Sequence, residues 1–438
     1  MKRTAITCMP IASLALLAAA ALLAAGPLDP PSGPVAPTYK TLAEVEPRTA
    51  VNATNTPGDA DSVYRISVSG SYYLTGNVFG ESGKHGIQIA ANNVTLDLSG
   101  FAVRGATGSL DGVNVATSDG LGITIRNGTI SNWGDCGLDT EYNGGHPPRV
   151  DLRDLQANGN TAGGFRLHST NTVIACSASE NGGDGFDALG NTTFAQCVAN
   201  ANGGRGLDSG GGSVVNGCIA SSNAGTGFAL ALQSTLADST AEGNAIGVTA
   251  QASVIRDCVV SDSDSHGASV FGACTIAGST FYRNGGNGVD LNGGTNIKNC
   301  TATENDGSGF SIGTTSSIQG CTARDNGSHG IKATNAAIIL QNECYNNGQG
   351  LLAGAGISVD GSDNRVEGNN CSGQDLGIDV NASGNFLLAN TCSGNTLNWS
   401  VAANNKCFVV LGVNSGAISG DSGGSSPGST NPWANYTY

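Results

Sequence analysis

Six side chains recur around one slot of this sequence and could carry chemistry. Asp139, Arg166, Asp187 and Asp208 each follow a Gly-apolar pair (Gly137-Leu138, Gly164-Phe165, Gly185-Phe186, Gly206-Leu207), and Glu141 and His168 stand two residues beyond Asp139 and Arg166. Asp187 and Asp208 hold the same place in two consecutive copies of one motif. Carboxylates held close together either bind a cation or force one of the pair to keep its proton. A protonated and an ionised carboxyl are the pair used in glycoside hydrolysis. An Arg or Lys base beside carboxylate-bound Ca²⁺ would suit β-elimination of uronates. The residue types therefore predict Asp187, Asp208, Arg166 and His168 as catalytic residues, with Asp187 and Asp208 doubling as a calcium site. Asp139, Glu141 and Trp133 are the predicted substrate contacts, the Trp133 ring being suited to stacking on a sugar. The competing readings are a solvated polar strand face for the charged set and core or cap packing for Trp133.

The elements that must position these groups come from a repeat. Val173, Phe194, Val215, Leu236, Ile255, Ile276, Ile297 and Ile318 fill one apolar slot. Three positions on is a cysteine slot (Cys176, Cys197, Cys218, Ser239, Cys258, Ser279, Cys300, Cys321), which Cys344, Cys371 and Cys392 are read as extending. A small inward residue follows, then an asparagine (Asn181, Asn202, Asn223, Asn244, Asn284, Asn305, Asn326), then the Gly-apolar pair. A unit of about 21 residues without helical periodicity is too short for strand plus helix and fits three short strands and three turns. Stacked in register at about 4.8 Å, such coils turn like residues into ladders, and thirteen or so coils would extend roughly 60 Å. The asparagines are assigned to corners, with left-handed backbone and amides bonded to the coils above and below. The glycines are assigned to positive φ.

Twelve cysteines lie beyond residue 25. Neighbouring coils put their α-carbons about 4.8 Å apart, inside disulfide range, but parallel side-chain vectors suit a bridge poorly. A packing ladder of small hydrophobes is expected. Metal binding at this ladder is disfavoured, with no Cys-x-x-Cys pair and no His at ligand spacing. Gly182–Gly190 matches a calcium-binding nonapeptide, but its relatives recur once per repeat unit or less often, not in tandem, so the match is assigned to the coil corner. His266 and His329 precede the Gly corner and are read as turn residues.

The 438-residue chain opens with Lys2, Arg3 and an apolar run from Ile11 to Ala25. The run is shorter than the roughly 20 residues of a spanning helix and reads as a signal peptide over 1–25. The expected location is secreted or cell-envelope, extracellular or periplasmic, with no membrane span after the leader is removed. Losing Lys2 and Arg3 takes the formal net charge from −15 to −17, which argues against nucleic acid as a partner. Residues 26–61 read as a Pro-rich linker and N-terminal cap with a short helical turn over 40–49. Residues 62–411 are the repeat, and 412–438 a Gly/Ser-rich tail whose aromatic end either docks back as a cap or serves as an address. A monomer is expected.

With the ladders assembled, the sequence resembles the right-handed parallel β-helix repeat superfamily, pectate-lyase-like and of the secreted bacterial type. Gly70-Ser-Tyr-Tyr-Leu-Thr-Gly76 and Val94-Thr-Leu-Asp-Leu-Ser-Gly-Phe101 are similar to its first rungs. The resemblance covers roughly 62–410 and implies an all-β fold: a single-stranded right-handed parallel β-helix with Cys and Asn ladders. It implies a protein that binds or modifies carbohydrate, as polysaccharide lyase or glycoside hydrolase. The alternative is a non-catalytic cell-surface, adhesion or structural β-helix. The polygalacturonase signature is missing: the chain has no Asp-Asp pair, and its nearest echo is Ser328-His329-Gly330-Ile331-Lys332. The Asp-Pro-His-Asp of the alginate epimerases is missing too, so no family catalytic residue carries over.

Overall fold

A computed structural model describes residues 46–117, 121–140, 149–168, 170–348, 354–407, 409–411 and 433–437. The chain divides into two compact units, 1–48 and 49–438, and every described strand lies in the second. No helix occurs among the described residues, and none is long and apolar enough to cross a membrane. The readings made for residues 1–45 lie outside the described residues.

Strands of two to nine residues follow one another through the unit. Sixteen of them, one from each coil, form one parallel sheet, and 32 form a second. Sixteen coils replace the thirteen or so expected from the sequence. The early coils, in which Ile87, Val113, Leu138 and Phe165 face one another, are several residues longer than the repeat unit. From Phe165 the register settles onto the regular period, with Phe165↔Phe186↔Leu207. The first parallel strand, Thr49–Ala50, pairs with Tyr72–Tyr73, so extended backbone occupies the end of the stretch expected to be a helical turn.

Alternation along each strand puts the apolar slot inside. Val173, Phe194, Val215, Leu236 and Ile255 pair coil to coil and are fully buried. Phe165 and Phe186 stack with ring centroids 5.0 Å apart, and Phe194 meets Phe186 edge-on at 5.8 Å. Such offset and edge contacts add to what area burial alone provides. All twelve described cysteines are free thiols. They do not form one column. Cys344, Cys371 and Cys392 pair with Ala323 and with each other, in the small-residue slot. Beyond Cys321 the original cysteine slot passes to Asn342, whose Oδ1 accepts from the Cys321 N–H at 2.9 Å.

The asparagines form the expected ladder. Asn160, Asn181, Asn202 and Asn223 each pass a side-chain amide N–H to the next Oδ1 at 2.9 Å, the last of these acceptors being Asn244. All five are 0–2% exposed. They are not the left-handed residues. Those are the residues just before, Glu180 (φ 56°), Ala201 (54°) and Ser222 (55°). The left-handed step turns the following side chain inward, where its amide can satisfy buried backbone groups. The corner glycines are likewise required by space rather than by φ. A Cβ on Gly185 would lie 2.8 Å from Asn202 Nδ2 and 2.7 Å from Gly206 O.

At the C-terminal end, Asn435–Thr437 pairs in parallel with Thr391–Ser393 and Val409–Leu411. Asn435 Oδ1 accepts from the Asn390 amide at 2.9 Å, and its own amide reaches Leu387 O at 2.9 Å. The aromatic end of the chain thus docks back and continues an asparagine ladder.

Candidate functional site on the outer face of the 16-stranded sheet

Gln88, Asn114, Asp139, Arg166, Asp187 and Asp208 stand opposite one another on six successive strands of the smaller sheet. Their strand neighbours Ile87, Val113, Leu138, Phe165, Phe186 and Leu207 are core, so alternation aims this row outward. The register predicted for Asp139, Arg166, Asp187 and Asp208 is therefore the one observed. Beyond Asp208 the row is neutral at Ala229, Thr249 and Ser269 before single charges return at Asp290, Lys332 and Asp379, so Asp139 to Asp208 is an unbroken run of four charged coils.

A second row lies one turn earlier in each coil. Cys136 N–H donates to Asp111 Oδ1 at 3.0 Å, and Arg205 N–H to Asp184 Oδ1 at 2.6 Å. His85 Nδ1 lies 3.2 Å from Asp111 Oδ2. His266 and His329 occupy the same slot further along, accepting from Asn287 N–H at 3.0 Å and Ala355 N–H at 3.1 Å, in keeping with turn roles. Sequence reasoning missed Gln88, Asn114, Asp111, Asp135, Asp184 and Arg205. Their signal was available only as position relative to the Gly corner.

Arg166 bridges the rows. Its guanidinium contacts Asp139 Oδ2 at 3.2 Å and Asp135 Oδ1 at 3.6 Å. The other oxygen of Asp139 is buried without a partner. Burial first, and then Asp111, push the Asp139 carboxyl up to about 6. Burial raises Asp187 as well, helped by Asp208 and Asp184 and opposed by Arg166 and Arg205. Burial also raises Asp208, but the Arg205 guanidinium paired with it works the other way. His168 is half-buried, and burial lowers its pKa. Its Nδ1 lies 3.3 Å from Thr140 Oγ1, so neighbouring strands fix the ring.

One expectation changes. Trp133 is fully buried, with its indole N–H donating to Val103 O at 3.0 Å. Its ring fills the space left by Gly80, Gly86 and Gly112, so it is core and presents no face to a sugar. Among the described residues, three metal-capable donors converge at Asp111, Asp135 and Cys136. Glu141 lies outside the described residues.

The raised Asp187 sets a pH prediction. A carboxyl whose folded-state pKa lies above its unfolded value of about 3.9 is no penalty below that value. It weakens the fold as pH rises through the folded-state pKa. Asp187→Asn is therefore expected to match wild type near pH 3 and exceed it at pH 7. Water screening at this half-exposed site limits the gain to roughly 0.5–1 kcal/mol. Denaturant melts at the two pH values check it, and an equal or lower stability at pH 7 contradicts it.

The family description "Right handed beta helix region" matches residues 85–246 and 244–397. The chain belongs to this family. Solved structures similar to this right-handed β-helix include the Azotobacter vinelandii mannuronan C-5 epimerase AlgE4 A-module (19% identity, 77% of this chain and 90% of that one, TM-score 0.33). The catalytic domain of a GH87 α-1,3-glucanase in complex with tetrasaccharides is another (13%, 78% and 70%, 0.36). A third is tailspike protein 3 of bacteriophage CBA120 (12%, 94% and 73%, 0.39). No curated protein matches. At these identities and TM-scores no residue role passes from those proteins to this chain.

Proposed function

We propose that this β-helix is an exported protein that binds polysaccharide along the Gln88–Asp208 row and hydrolyses it at Asp187 and Asp208. One observation carries the reading: two carboxylates of raised pKa stand opposite each other on adjacent strands. Adjacent strands hold α-carbons about 4.8 Å apart, close to the roughly 5–5.5 Å between the carboxyls of a retaining glycosidase. Arg205 supports the ionised form of Asp208, which suits it to attack the anomeric carbon and form a glycosyl ester. Asp187 keeps its proton to higher pH and gives it to the departing glycosidic oxygen. As a carboxylate it then takes a proton from the water that cleaves the ester. Arg166 and the neutral His168 supply donors to flanking hydroxyls or to a uronate.

A second reading, a non-catalytic adhesion protein, is favoured by the break in the charged row at Ala229, Thr249 and Ser269, beyond which its charges stand singly. A panel of acidic and neutral polysaccharides, with and without Ca²⁺, separates the two. New reducing ends without Ca²⁺ are expected. Unsaturated ends that need Ca²⁺ would replace hydrolysis with β-elimination and return Asp187 and Asp208 to the role of calcium ligands. Binding with no new ends would favour the adhesion protein.

A further inference from the structure

The turn row next to this face holds groups that the saccharide chemistry does not use. Asp111, Asp135 and Cys136 each bring one donor atom, all within 4.8 Å of one another. Asp111 is 4% exposed and Cys136 fully buried. We propose that these three residues hold a borderline divalent cation of the Zn²⁺ type. The site stands independently of the saccharide reading.

The donors suit such an ion. Thiolate and carboxylate together select a borderline metal, whereas Ca²⁺ and Mg²⁺ take oxygen alone. Zn–S and Zn–O bonds of about 2.0–2.3 Å require donors close to one another, and these three lie within 4.8 Å. Backbone register prearranges them. Cys136 follows Asp111 by one coil in the same slot, and the Cys136 N–H fixes Asp111 Oδ1 at 3.0 Å. His85, one coil earlier in that slot, accepts from the Asp111 backbone N–H at its Nδ1 at 3.2 Å and so holds the Asp111 backbone in place.

A separate observation points to a missing ligand. Asp139 is 9% exposed, and its Oδ1 is buried with no hydrogen-bond partner. Its Oδ2 shares the Arg166 guanidinium with Asp135, which draws the two carboxylates to one point. Three carboxylates against one guanidinium leave an anionic excess that a divalent ion would neutralise. A cleft of about 130 Å³ bordered by Cys136, Arg166, Asp184 and Asp187 gives access from solvent. Binding must displace the proton of the Cys136 thiol, so it should tighten as pH rises.

The test uses the full chain, stripped with a chelator and titrated with Zn²⁺ by calorimetry and with Co²⁺ by absorption. One ion per chain is expected, with a thiolate-to-Co²⁺ charge-transfer band. Cys136→Ser should abolish that band and weaken Zn²⁺ at least tenfold. Asp135→Asn, at a half-exposed position, should weaken Zn²⁺ with an unchanged circular dichroism spectrum. Cys258→Ser, in the core ladder, should alter neither. Absence of stoichiometric Zn²⁺ binding, equal affinity in Cys136→Ser, or preference for Ca²⁺ over Zn²⁺ would overturn the assignment.

Discussion

Replacing Asp187 with Asn is expected to lower kcat for glycan hydrolysis by about 10²- to 10⁴-fold, the usual range for loss of a general acid. KM should hardly move, because an amide keeps the shape of the carboxyl and can still hydrogen-bond a sugar hydroxyl. Wild-type activity should fall as pH rises through the raised Asp187 pKa, and the variant should lack that limb. Asp208→Asn removes the attacking group and should leave no glycosyl intermediate to trap. Steady-state kinetics across pH, with a trapping experiment for the intermediate, read these effects. Retention of kcat within a few-fold in Asp187→Asn would remove this residue from the chemistry.

The largest stability effect is expected at the asparagine ladder. Asn202 Oδ1 accepts from Asn181 N–H at 3.2 Å and from the Asn181 amide at 2.9 Å. Its Nδ2 donates to Ala178 O at 3.0 Å and to Asn223 Oδ1 at 2.9 Å. Asn202→Ala therefore strands two donors and a carbonyl inside the coil. Each orphaned buried group costs about 1–3 kcal/mol, and a net loss of about 3–5 kcal/mol is expected because they act as one network. Asn202→Asp keeps the acceptor but loses the donor and buries a charge. It should be at least as damaging at pH 7 and recover as the carboxyl is protonated on acidification. Thr193→Ala, on the exposed outer face, should stay within about 0.5 kcal/mol. Denaturant midpoints give the comparison, and a loss below about 1 kcal/mol at Asn202 would mean that water replaces the ladder.

In stacked coils, sequence spacing becomes spatial adjacency, which is why so much of this chain is legible. Val173, Phe194 and Val215 announce the core, Asn181, Asn202 and Asn223 the ladder, and Arg166, Asp187 and Asp208 the outward row, all from one repeated period. Legibility fails where the period fails. The step from Cys321 to Cys344 overshoots the period by two positions, which moves the later cysteines into the slot of Ala323. A third ladder, Thr192–Ser213–Ser234–Ser253–Cys274, mixes residue types and went unread. Trp133 gives no hint of burial, because the glycines that make room for it lie in coils longer than the repeat. Asp111, Asp135 and Cys136 meet for the same reason, across early coils whose greater length hides the alignment.

The claim that the outward row is the saccharide site has one direct measurement. Calorimetric affinity for the oligosaccharide selected by the panel is compared between wild type, Arg166→Ala and Arg256→Ala. Arg256 is an exposed cation on the outer face of the larger sheet, so it controls for charge alone. At least a tenfold loss is expected for Arg166→Ala and none for Arg256→Ala. Unchanged affinity in Arg166→Ala would contradict it.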